Sequence, residues 1–185
     1  MGRAALFALL MLAAQAAWPA PPFDLARLMQ LLAETPSSEV PYVEKKYSAL
    51  LAEPVTSSGT LSFRRPDVVE KNMLAPRRES FRIAGDVLTV RRNDKEKRLA
   101  LSSEPLLGAF AASLRGVLSG NAALLAEHYR LALEGTEPGW KLEMTPVGED
   151  IARYVERIVV SGSGGQVATI EVREAGGDRS VLTVR

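Results

Sequence analysis

Cysteine is missing altogether, histidine occurs once, as His128, and aromatic residues make up only 6% of the 185-residue chain. Without thiols the protein forms no disulfide, has no thiol nucleophile and carries no cysteine-linked lipid anchor. One histidine is too few for most zinc sites, so no metal is expected. An excess of one charge sign is lacking too. With 23 basic and 22 acidic residues the formal net charge is +1, which offers no electrostatic basis for nucleic acid or for strong steering to anionic lipid. Neither a Walker loop nor a dinucleotide fingerprint occurs. In "SGSGG", Ser161 stands where a nucleophile elbow requires its first glycine. The carboxylates Glu149–Asp150 and Glu171/Glu174 fall at turn or polar-face positions, which reads as solvated charge. His128 ends an expected helix, where an imidazole commonly bonds the last carbonyls. Nothing marks an enzyme, and no cofactor or nucleotide is expected.

Long apolar runs are scarce as well. The one at the start, Ala4 to Ala14 behind the lone cation Arg3, is too short to span a bilayer comfortably. With the small residues Ala14 and Ala16 flanking Gln15, it reads as a secretory signal covering residues 1–16; an uncleaved interfacial anchor is the alternative. Loss of that segment removes Arg3 and leaves 22 basic and 22 acidic residues in a single domain over residues 17–185. An exported chain with no cysteine to lipidate is expected to be soluble and, in a bacterium with two membranes, periplasmic.

What is present is patterning. Residues 23–34 read as a helix, with Asp24, Arg27, Gln30 and Glu34 forming a narrow polar stripe against an apolar remainder. From Pro41 the period becomes two. Strands are expected at 42–49, 55–64, 67–74, 78–83, 87–92 and 97–101, then at 129–134, 140–146, 156–161, 166–173 and 179–184. Between the two groups lies "PLLGAFAASLRGVL", residues 105–118, a helix whose only charge is Arg115. Pro105 suits its first turn, Gly120 its stop, and Asn121 the cap of a second short helix. The class is α+β, mainly β: about eleven antiparallel strands with helices on one face, in a sheet that should curl.

The alternation in "GTLSFRRP", residues 59–66, places Arg65 on the same face as Leu61 and Phe63. Apolar side chains expected inside the curl include Leu61, Phe63, Phe81, Ile83, Leu88, Val90, Trp140, Leu142 and Met144. Leu28, Leu32, Leu107, Phe110 and Leu114 are the helix residues that would cover them. These faces fit either an ordinary dry core or the lining of a cavity.

Gly59, Leu61, Phe63, Arg65-Pro66, Pro76, Gly85 and Leu88, followed by Trp140, Leu142 and Pro146, resemble the pattern of the periplasmic outer-membrane lipoprotein carrier proteins, the LolA-like family. The resemblance implies an incompletely closed eleven-stranded barrel with a helical lid, holding lipoprotein acyl chains or a related amphiphile. It further implies that Arg65 bonds backbone groups around the lid and governs its opening; the plainer alternative is that Arg65 snorkels at the barrel rim beside a turn. The implied partners are the lipid cargo, inner-membrane loading proteins and outer-membrane acceptor proteins, with the carrier itself a monomer. Lys71 stands where the family commonly has tryptophan, and Thr89, Val90 and Arg91 where it is rich in aromatics, which implies a cavity of different shape and cargo. Two other classes remain open: an envelope interaction or sensor module of the same fold, and a lipid-directed hydrolase pairing a serine with His128.

Overall fold

The computed structural model describes residues 22–185 other than Asp94, and omits the side chains of Pro105 and Leu106. The signal segment expected at residues 1–16 lies outside the described residues.

Helix α1 (Leu25–Glu34) starts where the Asp24 carboxylate accepts from the Arg27 amide at 2.8 Å. It buries Leu28, Met29 and Leu32. Six strands follow as a meander: β1 (Ser38–Tyr47), β2 (Val55–Arg64), β3 (Val68–Ala75), β4 (Glu79–Ala84), β5 (Val87–Arg92) and β6 (Lys95–Ala100). A short 3-10 turn (Leu101–Ser103) leads into α2 (Pro105–Ser119) and α3 (Ala122–Ala126). Strands then resume with β7 (Tyr129–Thr136), β8 (Gly139–Pro146), β9 (Val155–Ser163), β10 (Gln166–Glu174) and β11 (Arg179–Val184); the four-residue α4 (Glu149–Ala152) separates β8 from β9.

All eleven strands form one antiparallel sheet in the order β6-β5-β4-β3-β2-β1-β11-β10-β9-β8-β7. The first and last strands of the domain, β1 and β11, meet in the middle. The two free edges, β6 and β7, are neighbours in sequence, yet no ladder joins them. The sheet is therefore an unclosed barrel, and the helical insertion is the chain's route across the gap.

Most expected strands shift by one or two residues at their ends, and one starts earlier still. β1 begins at Ser38 rather than Tyr42, with Pro41 inside it opposite Thr60 of β2. Pro41 is tolerated because its missing N–H faces β11, whose ladder with β1 reaches only to Val184. Glu149 and Asp150, read as turn or polar-face carboxylates, open the short helix α4, which buries Ile151.

Gly120 shows why α2 stops where it does. Its φ of 68° is the left-handed conformation that ends helices, and a Cβ there would lie 2.1 Å from the Met29 carbonyl oxygen. One glycine thus terminates α2 and lets α1 approach it closely. Among the described residues no helix is long and apolar enough to cross a membrane.

Candidate functional site

Inward side chains align in rows across the ladders. In one such row Leu61 of β2 faces Lys71 of β3, which faces Phe81 of β4, which faces Val90 of β5. In the next, Val69 faces Ile83 and Ile83 faces Leu88. Over this wall lies α2. Between them is a cavity of about 410 Å³, within the roughly 300–1,000 Å³ range of small-ligand sites. The sheet contributes Leu61, Val69, Phe81, Ile83, Leu88, Ile170, Val172 and Leu182; Leu101, Leu107, Phe110 and Leu114 form the roof. Most of the lining is apolar. The exceptions are Glu44, Lys71, Glu174 and Ser180.

The concave face is hollow on one side only. Under the C-terminal half of α2, Val117 and Leu118 meet Met144, Ile158 and Val160 with a residual void of about 10 Å³, no more than one water's worth of space. Trp140, Leu142 and Met144 are 2%, 0% and 1% exposed in this filled half. Trp140 also donates from its indole Nε1 to the Gly164 carbonyl oxygen at 2.8 Å. Leu28 and Leu32 of α1 are likewise part of the solid core.

Of the residues expected to line a cavity, the structure brings together Leu61, Phe81, Ile83 and Leu88, with Leu107, Phe110 and Leu114 above them. Phe63 is buried under Arg65 instead, and Val90 is half-buried beside the core, outside the cavity lining. Phe110 is 38% exposed while it lines the cavity, so it stands at the mouth.

Arg65 departs from the simple alternation. β2 ends at Arg64, and Arg65 sits exposed in the turn, its guanidinium 5.7 Å from the centre of the Phe63 ring. From the rim it donates to the carbonyl oxygens at the end of α1: Leu32 at 3.1 Å and Thr35 at 2.8 and 3.2 Å. The charge stays in water while the fork satisfies the Thr35 carbonyl and adds a second bond to the Leu32 carbonyl, which already accepts from the Thr35 amide. The expectation that it points into the apolar face is corrected on that ground.

Further polar ties hold the helices. Thr35 donates its hydroxyl to Leu31 and Gly165 carbonyl oxygens, and Arg27 pairs with Glu137 in the β7–β8 turn at 3.3 Å. Arg115 of α2 donates to the Gly85 carbonyl oxygen in the β4–β5 turn. Sequence reasoning noted Arg115 only as a lone charge; its role depends on a turn thirty residues away.

A larger depression, about 800 Å³, lies over β3–β6, where Met73 and Leu74 share the lining with charged residues including Arg78, Arg91, Arg92 and Lys95. His128 packs edge-on to Tyr129 with ring centres 6.4 Å apart, and no serine hydroxyl bonds its ring among the described residues.

Comparison with known proteins adds the following. A family model described as outer membrane lipoprotein carrier protein LolA-like matches residues 16–183. No curated protein matches the chain. Among solved structures, a LolA superfamily protein from Nitrosomonas europaea is similar at 15% identity and a TM-score of 0.47, with 87% of this chain and 89% of that one covered. The Pseudomonas aeruginosa MucA/MucB complex gives 15% identity and 0.47, covering 86% of this chain and 53% of the other. The lipoprotein LppX from Mycobacterium tuberculosis gives 11% and 0.42, covering 87% and 93%.

Proposed function

Because the chain belongs to the outer membrane lipoprotein carrier protein LolA-like family, we propose that it is a periplasmic carrier that shields acyl chains of lipoproteins, or of a related amphiphile, between two membranes. One observation carries this reading: the apolar 410 Å³ cavity between α2 and the β2–β5 and β10–β11 wall. Each methylene removed from water is worth about 0.8 kcal/mol, so one tail supplies ample affinity. Release then needs an opposing term. The helices supply it, since α2 packs against the wall and is tied to Gly85 through Arg115, while Arg65 grips the end of α1. Net affinity is the difference between the guest's packing and the helices' own. Among the described residues the cavity lining holds Ser180 but no histidine, which favours a binder over the serine–histidine hydrolase.

Mass spectrometry of lipid extracted from the exported, natively purified protein tests the reading, together with binding of a neutral fluorescent apolar probe. Co-purified acyl species and a probe displaced by them are expected. A lipid-free protein in stoichiometric complex with a regulator, and no probe binding, would replace the carrier by an interaction module.

A further inference from the structure

The polar corner of the cavity carries more charge chemistry than a tail-binding site requires. Lys71 Nζ donates to Glu44 Oε2 at 2.6 Å, and the Ser57 hydroxyl donates to the same oxygen at 3.2 Å. Both members of the pair line the cavity and are three-quarters buried, with side chains 27% and 23% exposed. The Lys71 ammonium has three N–H groups and uses one; Glu44 Oε1 has no protein partner among the described residues. Beside them the Tyr42 hydroxyl is buried and makes no hydrogen bond, with Lys71 Nζ 5.1 Å from the centre of its ring. A buried polar cluster left partly unpaired is destabilising in an apolar setting. A bound head group that accepts from Lys71 and donates to Glu44 would complete it.

The sign of the charge narrows the head group. Glu174 also lines the cavity and is paired with Lys46 at 2.9 Å, which lies 3.9 Å from Asp178. The corner therefore holds three carboxylates against two ammonium groups. An added carboxylate would gain from Lys71 but meet Glu44 and Glu174 in a partly desolvated site, where repulsion is strong. An uncharged amide or hydroxyl head meets no such opposition and offers both a donor and an acceptor, while an ester accepts from Lys71 and leaves donation to Glu44 to a neighbouring hydroxyl.

We infer that the cavity reads head groups as well as tails: the Glu44–Lys71 corner selects single-chain guests bearing a neutral acyl-ester or acyl-amide head over fatty-acid anions. This rests on the carrier reading above and deepens it. The shared chemistry has two sources, a free acylglycerol or an acylated protein N-terminus.

The test is displacement of phenylnaphthylamine by monolauroylglycerol, an N-lauroyl peptide amide and laurate, all of one chain length. The neutral guests are expected to displace the probe at concentrations about tenfold below laurate. Glu44→Gln, which leaves the Lys71 charge unopposed, reverses that order. The paired Glu44→Gln/Lys71→Met variant, which removes the corner pair and keeps Glu174 and Asp178 with Lys46, narrows the difference to that of the remaining carboxylates. Whichever neutral guest leads identifies the source as free lipid or acylated protein. Equal displacement by laurate in the unaltered protein, or a preference of unchanged size in the paired variant, overturns the inference while leaving the carrier reading intact. Failure of the probe itself to bind overturns the carrier reading and the inference with it.

Discussion

Arg65 donates to the Thr35 carbonyl oxygen twice, from Nε at 3.2 Å and from an Nη at 2.8 Å, so one rim residue closes the end of α1. The Leu32 carbonyl oxygen takes a further bond at 3.1 Å, and the Arg65 amide itself donates to the Ser37 hydroxyl at 3.1 Å. The position also sets a positive charge at the negative end of a helix.

Replacing Arg65 by leucine removes three charge-assisted bonds at an exposed site, so we expect a loss of roughly 1–2 kcal/mol after discounting for solvent screening. The fold should persist because the buried face of α1 is untouched. Urea unfolding gives the first number, and hydrogen exchange locates it: amides near Leu32 and Thr35 should exchange faster than those of β9 and β10. Handover of a lipidated cargo should also be impaired. Unchanged exchange in α1 would remove Arg65 from any role in holding that helix.

The hollow and solid halves of the concave face should respond differently to the same truncation. Leu142 is fully buried where α2 and β7–β9 leave almost no void, so Leu142→Ala should cost about 2–5 kcal/mol. Ile83 borders the existing cavity, and Ile83→Ala merely enlarges a space already present. Its loss should lie at the low end of that range. Probe binding discriminates further, staying near normal in a folded Leu142→Ala protein and changing in Ile83→Ala. Equal stability losses with equal effects on binding would contradict the division.

That division was hidden in the sequence, although the strands were not. Period-two patterning, as in Trp140, Leu142 and Met144, marks which residues face inward and yields all eleven strands. It says nothing about what sits opposite. Met144 and Ile83 read alike as apolar inward positions, and only the placement of α2 makes one core and the other cavity wall. Proline misplaced the start of β1, because a missing N–H matters only on the side where a strand continues. α4 is four residues long, too short to show a helical period. Lys71 stood out as a departure from the family pattern, but its partner Glu44 lies two strands away along the sheet order and 27 positions back in the chain. Nothing local links the two.

Tyr42 should leave an alkaline signature. Burial first, and the nearby Glu44 charge second, push its phenol up to about 12. The neighbouring Ser57 hydroxyl, bonded to Glu44 and not to the neutral phenol, can turn to the phenolate and offsets only part of this. The unfolded phenol ionises near pH 10, so above that pH the unfolded chain releases a proton that the folded chain retains. Stability is therefore fully present below pH 10 and falls between pH 10 and 12, by at most about 1.4 kcal/mol per pH unit from this residue. Tyr129, raised mainly by burial, and Lys46, raised mainly by its bond to Glu174, act in the same direction. Tyr42→Phe should consequently flatten the decline without erasing it. At neutral pH the variant should be at least as stable, since the removed hydroxyl is buried and unpaired. Urea midpoints at a series of pH values from 8 upward, in about one-unit steps, check both statements. A variant whose alkaline decline matches that of the unaltered protein would show that Tyr42 ionises normally.

Filling the cavity separates binding from folding. Leu88 sits on β5 opposite Ile83 and Leu99, with its side chain on the cavity wall. Leu88→Phe adds apolar volume to empty space without adding a polar group. Where such a substitution fits, the gain is commonly about 0.5–2 kcal/mol. A larger ring in place of leucine also takes the space a tail would occupy, so apolar-probe affinity should drop by about tenfold, as a loss near 1.4 kcal/mol requires. The two readouts then move in opposite directions, which misfolding cannot imitate, because a damaged fold loses stability and binding together. A stable Leu88→Phe protein that binds the probe as well as before would mean that guests enter elsewhere, and the depression over β3–β6, with Met73 and Leu74 in its lining, would become the place to look.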